Sequence, residues 1–359
     1  MSAVRATMRA AMLRAPGEVE VVELPVPRPG PGEVVVRVRA CGICGSDLMD
    51  WYVSRRVPFV FGHEVAGEIA SVGPDVEGFG VGDPVFVHHH APCGTCAACR
   101  RGDEVHCTVW RTTHLDPGGM AEYVRVPGAI VRAEVLRLPP GVGFDDAALV
   151  EPVACAVKAL RRAAAVLGGL RGSQDAPGAA LGGLQVLVLG LGFSGQVLGT
   201  LARELGAERL LAADPVPARR ARARRWADTV FDPVAEDLAD VARADGVDLA
   251  VVATSSAQAL EAAASAVRPG GVILLYAPLP PGVLLPLPAH DVFFREVTVV
   301  PSYSAGTRDT REALAYITRG VIRAAQFVTH RFPLERAGEA YRTARAGGPA
   351  IKVIVEGIG

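Results

Sequence analysis

The chain has 359 residues, 50% of them hydrophobic, with 37 basic and 38 acidic side chains. This length is too great for one ordinary core and suits two domains. The near-zero net charge argues against a nucleic-acid backbone or an anionic membrane surface as a partner. The N-terminal segment Met1–Leu13 has no apolar run long enough for a signal-peptide core, and no later run reaches transmembrane length. We therefore expect a cytoplasmic protein with no membrane partner.

The first part of the chain is rich in β-forming residues. Short runs that favour strands alternate with Pro/Gly turns and predict strands over Glu18–Leu24 and Glu33–Val38. Two further strands are expected over Val65–Val72 and Asp83–Val87. This punctuation is typical of a compact, barrel-like all-β lobe.

Within this region, Cys44, His63 and Glu64 bring three kinds of metal ligand close together in the sequence. A thiolate, an imidazole nitrogen and a carboxylate suit one zinc ion with an open fourth position. Any one of these residues alone would more often be a buried cysteine or a core or capping histidine. Their combination favours the metal site.

Four cysteines follow with gaps of two, two and seven residues: Cys93, Cys96, Cys99 and Cys107. Four thiolates on one loop can close a tetrahedral shell that leaves no position for a substrate, which predicts a structural zinc. An iron–sulfur cluster is the rival interpretation, but Thr108 stands where the bacterial ferredoxin motif has proline. Four unligated core cysteines are a further alternative.

Three histidines, His88, His89 and His90, precede the first of these cysteines. Consecutive residues on an extended strand point to alternating faces, so we expect that the three do not bind one ion. They are either a partly exposed strand end, or one of them, His90, lines a substrate cleft. The segment Asp116–Tyr123 is expected to return as a strand and close the lobe.

A helix is predicted to begin at Glu151-Pro152 and to run to Ala165, because proline is favoured at a first helical position. This places Glu151 at a helix start, where its charge is also favoured by the helix dipole. The Gly/Ala/Ser-rich stretch Gly168–Gly183 is expected to form a surface loop before the second domain.

The segment Gln185–Gly195 reads as an apolar strand, a glycine turn and the start of a helix predicted over Gln196–Leu205. Asp214 follows at the end of the next strand, Arg209–Ala213. This order is the dinucleotide fingerprint, in which the turn approaches the pyrophosphate and the carboxylate accepts the ribose hydroxyls. The turn residues are Gly190, Gly192, Phe193, Ser194 and Gly195.

An acidic residue at this position disfavours a 2′-phosphate and predicts NAD rather than NADP. Arg219 and Arg220 weaken that prediction, although a solvated helix face is their commoner explanation. Apolar segments at Asp248–Ala253 and Gly271–Tyr276 alternate with helices and predict a parallel sheet.

The Pro-broken apolar segment Pro280–Pro288 is expected at the sheet edge, where Val283–Leu287 would join subunits into a homodimer or homotetramer. After residue 300 the chain is expected to return to the first lobe through a helix over Thr310–Arg319 and a closing strand over Ile351–Val355. The predicted domains are therefore 1–152, 153–300 and 301–359.

Taken together, these motifs resemble the zinc-dependent medium-chain dehydrogenases, and most closely the polyol branch of sorbitol and L-iditol 2-dehydrogenases. The resemblance implies an α/β fold with a GroES-like β-rich catalytic domain and a Rossmann doubly wound parallel sheet. It implies two zinc ions, one structural and one catalytic, and NAD. The residues that it places at the catalytic zinc are Cys44, His63, Glu64 and Glu151, and Arg219 is included with the NAD-binding residues.

This resemblance predicts reversible oxidation of a secondary alcohol, such as a polyol or cyclitol, to a ketone. A proton would leave through Ser46, and because Met49 stands at the usual relay histidine, His90 is the candidate replacement. The usual pocket tyrosine is Asp50. An L-threonine 3-dehydrogenase shares every motif, a primary-alcohol dehydrogenase is disfavoured by Glu151 in place of cysteine, and a non-catalytic nucleotide sensor is the remaining alternative.

Overall fold

The computed structural model describes residues 6–171, 180–236, 246–285 and 287–358. Within these ranges the chain divides into two compact units. The split unit runs up to Ala154 and resumes at Ala305, and the central unit holds Cys155–Ser304. No helix in the described ranges is both long and apolar enough to cross a membrane.

The split unit is built on two sheets. The strands are β1 Thr7–Ala15, β2 Glu18–Pro25, β3 Val34–Gly42, β4 Phe59–Val60, β5 Glu64–Val72, β6 Pro84–Val87, β7 Tyr123–Val126, β8 Val135–Arg137, β15 Val328–Pro333 and β16 Lys352–Glu356. A small antiparallel sheet has the order β2-β1-β4. A larger mixed sheet, in which β15 and β16 are parallel, has the order β15-β16-β3-β5-β6-β8, with β7 paired to β3.

The strand β3 lies at the centre of the larger sheet because its sequence, VVVRVRACG, is dominated by β-branched residues that are buried. It pairs with β5 on one side and with the C-terminal β16 on the other, both antiparallel. Tyr341 and Phe61 pack edge to face, with ring centroids 5.6 Å apart, inside the same core. The end of the chain is therefore part of the first lobe, as the sequence predicted.

The helices of the split unit are mostly short and lie between strands. They are Asp50–Val53, Ala97–Arg100, Thr108–Thr112, Gly128–Glu134, Phe144–Ala147, Thr307–Thr318, Ala324–Phe327 and Ala337–Ala346, with 3-10 turns at Gly45–Leu48, Glu104–His106 and Leu334–Arg336.

The central unit contains a six-stranded parallel sheet in the order β11-β10-β9-β12-β13-β14. Numbered within the unit, this is the 3-2-1-4-5-6 order of a doubly wound nucleotide-binding sheet. The strands are β9 Gln185–Leu189, β10 Arg209–Ala213, β11 Thr229–Phe231, β12 Val247–Val252, β13 Val267–Leu275 and β14 Thr298–Pro301, and the helices are Phe193–Glu204, Pro217–Ala223, Ala257–Ala266 and Ala289–Phe294.

Two segments differ from the sequence predictions. The helix that holds Glu151 spans Val150–Arg171, beyond the predicted end at Ala165, because Leu160, Ala163 and Leu167 continue its buried stripe. Most of the predicted loop after it, residues 172–179, lies outside the described residues.

The apolar segment after Pro280 forms no strand among its described residues, since the edge of the parallel sheet is β14. Its side chains are nevertheless exposed, with Leu284 87% accessible.

Candidate functional site

Three of the predicted ligands meet in the split unit at the ends of two paired strands. Gly42, the last residue of β3, pairs in register with Glu64, the first residue of β5. Cys44 lies just after β3 and His63 just before β5, so the antiparallel pairing brings them together. The ligand atoms of Cys44, His63 and Glu64 all lie within 4.8 Å of one another. We call these three residues the Cys44 cluster.

Asp47 supports this cluster from the 3-10 turn Gly45–Leu48. Its side chain is buried, one carboxylate oxygen accepts a hydrogen bond from the Cys44 backbone N–H at 3.2 Å, and the other lies 3.6 Å from His63 Nδ1. Burial lowers the pKa of His63, but Asp47 and Cys44 raise it by more, so this pKa lies well above its usual value. A carboxylate behind a histidine is the usual outer support of a metal-binding imidazole.

Glu64 has a second partner that the sequence did not suggest. Lys352 Nζ donates to Glu64 Oε1 at 2.6 Å and to the Ile43 carbonyl at 3.1 Å, and it also forms an ion pair with Glu64 Oε2. Both side chains are almost completely buried. Burial lowers the pKa of Lys352, but the negative charges of Glu64, Cys44 and Glu151 together raise it by more, so the net shift is upward. Glu64 is thus a neighbour of the other ligands and also the counter-charge of Lys352.

Gly42 makes this ion pair possible. It belongs to β3, which separates β5, with Glu64, from β16, with Lys352. A Cβ atom on Gly42 would lie 1.7 Å from Glu64 Oε2 and 2.9 Å from Lys352 Cε. Glycine in the middle strand therefore lets two side chains from its flanking strands meet.

The three consecutive histidines do not lie on a strand, because β6 ends at Val87. The expectation that they extend a strand is therefore wrong, but His90 lies outside the group of possible metal ligands that contains the other two. The ligand atoms of His88, His89 and Glu151 lie within 4.8 Å of one another, and we call this set the His88 cluster. The ring centroids of His89 and His63 are 4.7 Å apart, so His89 is the histidine of the three that contacts the Cys44 cluster.

His90 is held elsewhere. Its ring centroid lies 4.0 Å from that of Trp110, and its Nδ1 lies 2.6 Å from the Thr113 carbonyl. Burial lowers the pKa of His90 to about 3, so the ring is neutral and packed. His90 therefore packs against Trp110, whereas His89 is in ring contact with His63.

Ser46 is partly exposed in the turn after Cys44. The capping interaction at this turn is made by Asp47 with the backbone of Cys44, not by the Ser46 hydroxyl. Met49 follows as the residue that ends the 3-10 turn.

The predicted structural metal site is a compact cluster of four reduced cysteines, Cys93, Cys96, Cys99 and Cys107, whose sulfur atoms all lie within 4.8 Å of one another. The Sγ atoms of Cys96 and Cys99 are 3.5 Å apart and those of Cys93 and Cys99 3.9 Å apart. A tetrahedral zinc with bonds of about 2.3 Å requires sulfurs about 3.8 Å apart, so the four residues fit zinc. We call them the four-cysteine cluster.

Backbone N–H groups already point at the sulfurs of this cluster. The amides of Thr95 and Cys96 donate to Cys93 Sγ, and the amide of Cys93 donates to Cys107 Sγ, at 3.3–3.4 Å. Hydrogen bonds from Thr95 lower the pKa of Cys93 to about 6. The hydrogen bonds to Cys93 therefore stabilise a thiolate at this position of the loop.

In the central unit, the glycine turn follows β9. Gly190 has a positive φ of 89°, and a Cβ atom on Gly195 would lie 1.9 Å from the Gly190 carbonyl oxygen. Gly192 precedes the first helical residue, Phe193, and Ser194 lies in the first turn. The turn therefore brings backbone amides to a helix N-terminus, which is the position for a pyrophosphate.

Asp214, just after β10, is buried and fixes this turn. Its carboxylate accepts hydrogen bonds from the backbone amides of Leu191 at 2.7 Å and Val216 at 2.8 Å. Arg219 lies 3.7 Å from the same carboxylate. The Asp214 carboxylate thus stabilises the turn in the chain without cofactor, and it also lies where the sequence predicts a contact with the ribose.

Comparison with known proteins identifies the family. The model of the alcohol dehydrogenase GroES-like domain matches residues 30–140, and that of the zinc-binding dehydrogenases matches residues 195–319. L-threonine 3-dehydrogenase of Pyrococcus horikoshii is 33% identical over 358 residues, covering 95% of this chain and 96% of that protein. The chain belongs to the zinc-dependent medium-chain dehydrogenases.

Other relatives of this dehydrogenase differ in their named substrates. Sorbitol dehydrogenase of Bacillus subtilis is 27% identical over 363 residues, covering 97% of both chains. A zinc-binding dehydrogenase from Sinorhizobium meliloti, solved with NADP, superposes with a TM-score of 0.82 at 26% identity, covering 98% of this chain and 100% of that one. The predicted family and fold class are confirmed, whereas threonine and sorbitol dehydrogenases are both among the relatives.

Two side chains of the dehydrogenase site were missed from the sequence. His89 was not distinguished from its neighbours, and Lys352 was not connected to Glu64. A signal for Lys352 existed, because it is one of only two lysines in the chain and directly precedes the apolar run Val353–Val355.

Proposed function

We propose that this zinc-dependent dehydrogenase oxidises a secondary alcohol reversibly to a ketone, with NAD as the hydride acceptor. The observation that carries the proposal is the Cys44 cluster: a thiolate and an imidazole ordered by Asp47 beside a carboxylate already neutralised by Lys352. A zinc ion held there supplies a Lewis acid that favours ionisation of an alcohol hydroxyl near neutral pH, and NAD supplies the redox chemistry.

The side chains divide this work. Cys44 and His63 are the proposed constant ligands, and Asp47 orients His63 through its buried carboxylate. Glu64 and Glu151 are proposed as alternating further ligands. Lys352 offsets the charge of Glu64, which preserves the Lewis acidity that a second bound carboxylate would reduce.

NAD is proposed over NADP. Two backbone amides hold the carboxylate of Asp214 close to the expected position of the adenosine ribose 2′-hydroxyl. A negative charge there repels the 2′-phosphate of NADP. Arg220 is engaged with Asp232 at 2.9 Å, which removes one of the two arginines that could accept that phosphate. Arg219, beside Asp214, is proposed to contact the ribose.

Ser46 is proposed to carry the proton away from the alcohol, because a hydroxyl can donate and accept at once. Ser46→Ala should lower turnover by about 10²- to 10⁴-fold, the range of general acid–base steps, with zinc content and NADH affinity unchanged. Stopped-flow rates and zinc analysis of the variant measure this. Turnover within twofold of wild type would exclude Ser46 from the path.

The substrate class is tested by steady-state rates on polyols, aminocyclitols, L-threonine and simple alcohols, each with NAD and with NADP. A specificity constant highest for a secondary alcohol with NAD supports the proposal, and Asp214→Ala should narrow the preference for NAD. L-threonine is the second candidate substrate, since relatives named L-threonine 3-dehydrogenase are 33–34% identical to this chain over most of its length. NADH binding without turnover of any alcohol would instead support a nucleotide sensor.

A homodimer or homotetramer is also proposed, formed through an apolar surface of the central unit. This surface includes three large apolar side chains, Leu284, Phe293 and Phe294, which are 87%, 74% and 70% accessible. Exposed apolar patches of this kind commonly mark protein–protein interfaces. Light scattering at micromolar concentration should report a dimer or tetramer, and a monomer would remove this proposal.

A further inference from the structure

The His88 cluster contains two histidines to which the proposed reaction assigns no task. His88 is completely buried and Glu151 is 4% exposed, while His89 is partly exposed beside them. The reaction uses Glu151 as an alternating ligand of the Cys44 cluster, but it requires neither histidine. Two imidazoles and a carboxylate within 4.8 Å of one another form a donor set of their own.

The protonation pattern of His88 is fixed by its surroundings. Its Nδ1 lies 2.7 Å from the His90 carbonyl oxygen, which can only accept, so Nδ1 carries the proton and Nε2 carries the lone pair. The His90 amide, at 3.3 Å from the same Nδ1, is the more distant neighbour. An imidazole whose far nitrogen donates to a backbone carbonyl is the arrangement of a metal-binding histidine.

The nitrogen that this leaves for coordination has no hydrogen-bond partner. His88 Nε2 is buried without one among the described residues, and the same holds for His89 Nδ1. A buried polar atom without a partner costs about 1–3 kcal/mol. One ring nitrogen of each histidine and one carboxylate oxygen of Glu151 lie within 4.8 Å of one another, so one cation can be bound by all three side chains.

We propose that His88, His89 and Glu151 bind a third divalent transition-metal ion, Zn²⁺ or Co²⁺, beside the Cys44 cluster. Two histidines and a glutamate are an established zinc donor set, and imidazole suits these ions. The contact between His89 and His63 places the two cation sites next to each other, as in two-metal sites. We expect a lower metal affinity at this third site than at the other two. The ion at the Cys44 cluster would repel a second cation nearby, and the two sites would share Glu151.

The experiment is a zinc titration of the purified full-length enzyme by equilibrium dialysis and metal analysis. Wild type should bind two zinc ions per chain tightly and a third at higher zinc concentration. His88→Leu and His89→Phe should each lower the affinity for the third zinc ion at least about 100-fold, because each removes a ligand. His330→Gln, which changes a histidine outside both clusters, should keep the third ion.

Cobalt absorption separates this site from those that contain cysteine. Co²⁺ at the Cys44 or four-cysteine clusters gives sulfur-to-metal charge-transfer bands, whereas the third equivalent should add only weak visible bands, since its ligands contain no sulfur. These bands also report whether Cys44 binds metal, so failure of the proposed catalytic site is seen separately. Saturation of wild type at two ions, or a third ion retained in both His88→Leu and His89→Phe, would overturn the proposal. If His88→Leu does not fold, His89→Phe decides, because its side chain is partly exposed.

Discussion

The four-cysteine cluster and the Cys44 cluster are both built for metal, yet they are assembled in opposite ways. The first takes all its ligands from one loop, Cys93–Cys107, and backbone amides of that loop support the sulfurs. The second takes ligands from the ends of two strands and depends on Asp47 and on the distant Lys352. A closed local shell serves folding, whereas an open shell drawn from several elements leaves room for a reactant.

The largest expected effect tests the open cluster. Cys44→Ser should lower turnover by at least about 10³-fold, because the Lewis acid contributes several kcal/mol to the transition state. One zinc should be lost, while the melting temperature changes by only a few degrees. Metal analysis, kcat and calorimetry measure the three quantities, and Cys155→Ser, outside both clusters, is the matched control.

A variant of the four-cysteine cluster should instead affect stability more than turnover. Cys99→Ser should also lose one zinc, but the main consequence should be a lower melting temperature, since binding of a structural metal contributes directly to folding. If Cys44→Ser proved the more destabilising and Cys99→Ser the more damaging to turnover, the division of roles between the clusters would be wrong.

A smaller effect is expected at the Lys352–Glu64 ion pair. Lys352→Met should destabilise the enzyme by about 3–5 kcal/mol, because it leaves a buried carboxylate uncompensated. The double variant Lys352→Met with Glu64→Gln should recover most of that loss. Denaturant unfolding of the four proteins gives the coupling energy, and additive losses would show that the two residues do not depend on each other.

The smallest effect concerns pH. Burial raises the pKa of Glu134, whose backbone carbonyl accepts from the His88 amide, to about 8. The folded state therefore holds a proton that the unfolded state loses above its pKa of about 4.5, and stability falls as pH rises through this window. Glu134→Gln should remove roughly 1–4 kcal/mol of this dependence.

Unfolding experiments at pH 5 and pH 8 measure the difference between Glu134→Gln and wild type. The exposed Glu77→Gln is the control and should show the same pH dependence as wild type. An equal gap between Glu134→Gln and wild type at the two pH values would contradict the assignment of the buried proton to Glu134.

The two clusters also explain what the sequence could and could not predict. Cysteine spacing alone indicated the four-cysteine cluster, because all of its geometry is local. The strand–turn–helix at Gly190 and the doubly wound sheet were predicted for the same reason, since each depends on short-range patterns. Cys44 and His63 were indicated by their ligand types and by the family resemblance, but their placement depends on the register of β3 against β5.

The remaining features depend on contacts between distant parts of the chain. The contact between Lys352 and Glu64 requires a glycine in the strand between them, and no local sequence pattern predicts this contact. The choice among the three histidines depended on where β6 ends, and an extension of that strand by a few residues would have given a different answer. Only the rarity of lysine could have drawn attention to Lys352.

The position of β16 has a consequence for how the chain matures on the ribosome. Lys352 and Glu64 are 288 residues apart, and β16 can pair with β3 only after all of the chain between the two strands has been made. The central unit is one continuous stretch and can fold while synthesis continues, but the sheet of the split unit must wait for its last strand. The counter-charge of Glu64 therefore arrives after every proposed ligand, and a chain that ended before Lys352 would carry all of those ligands and still lack the partner of the Glu64 carboxylate beside Cys44.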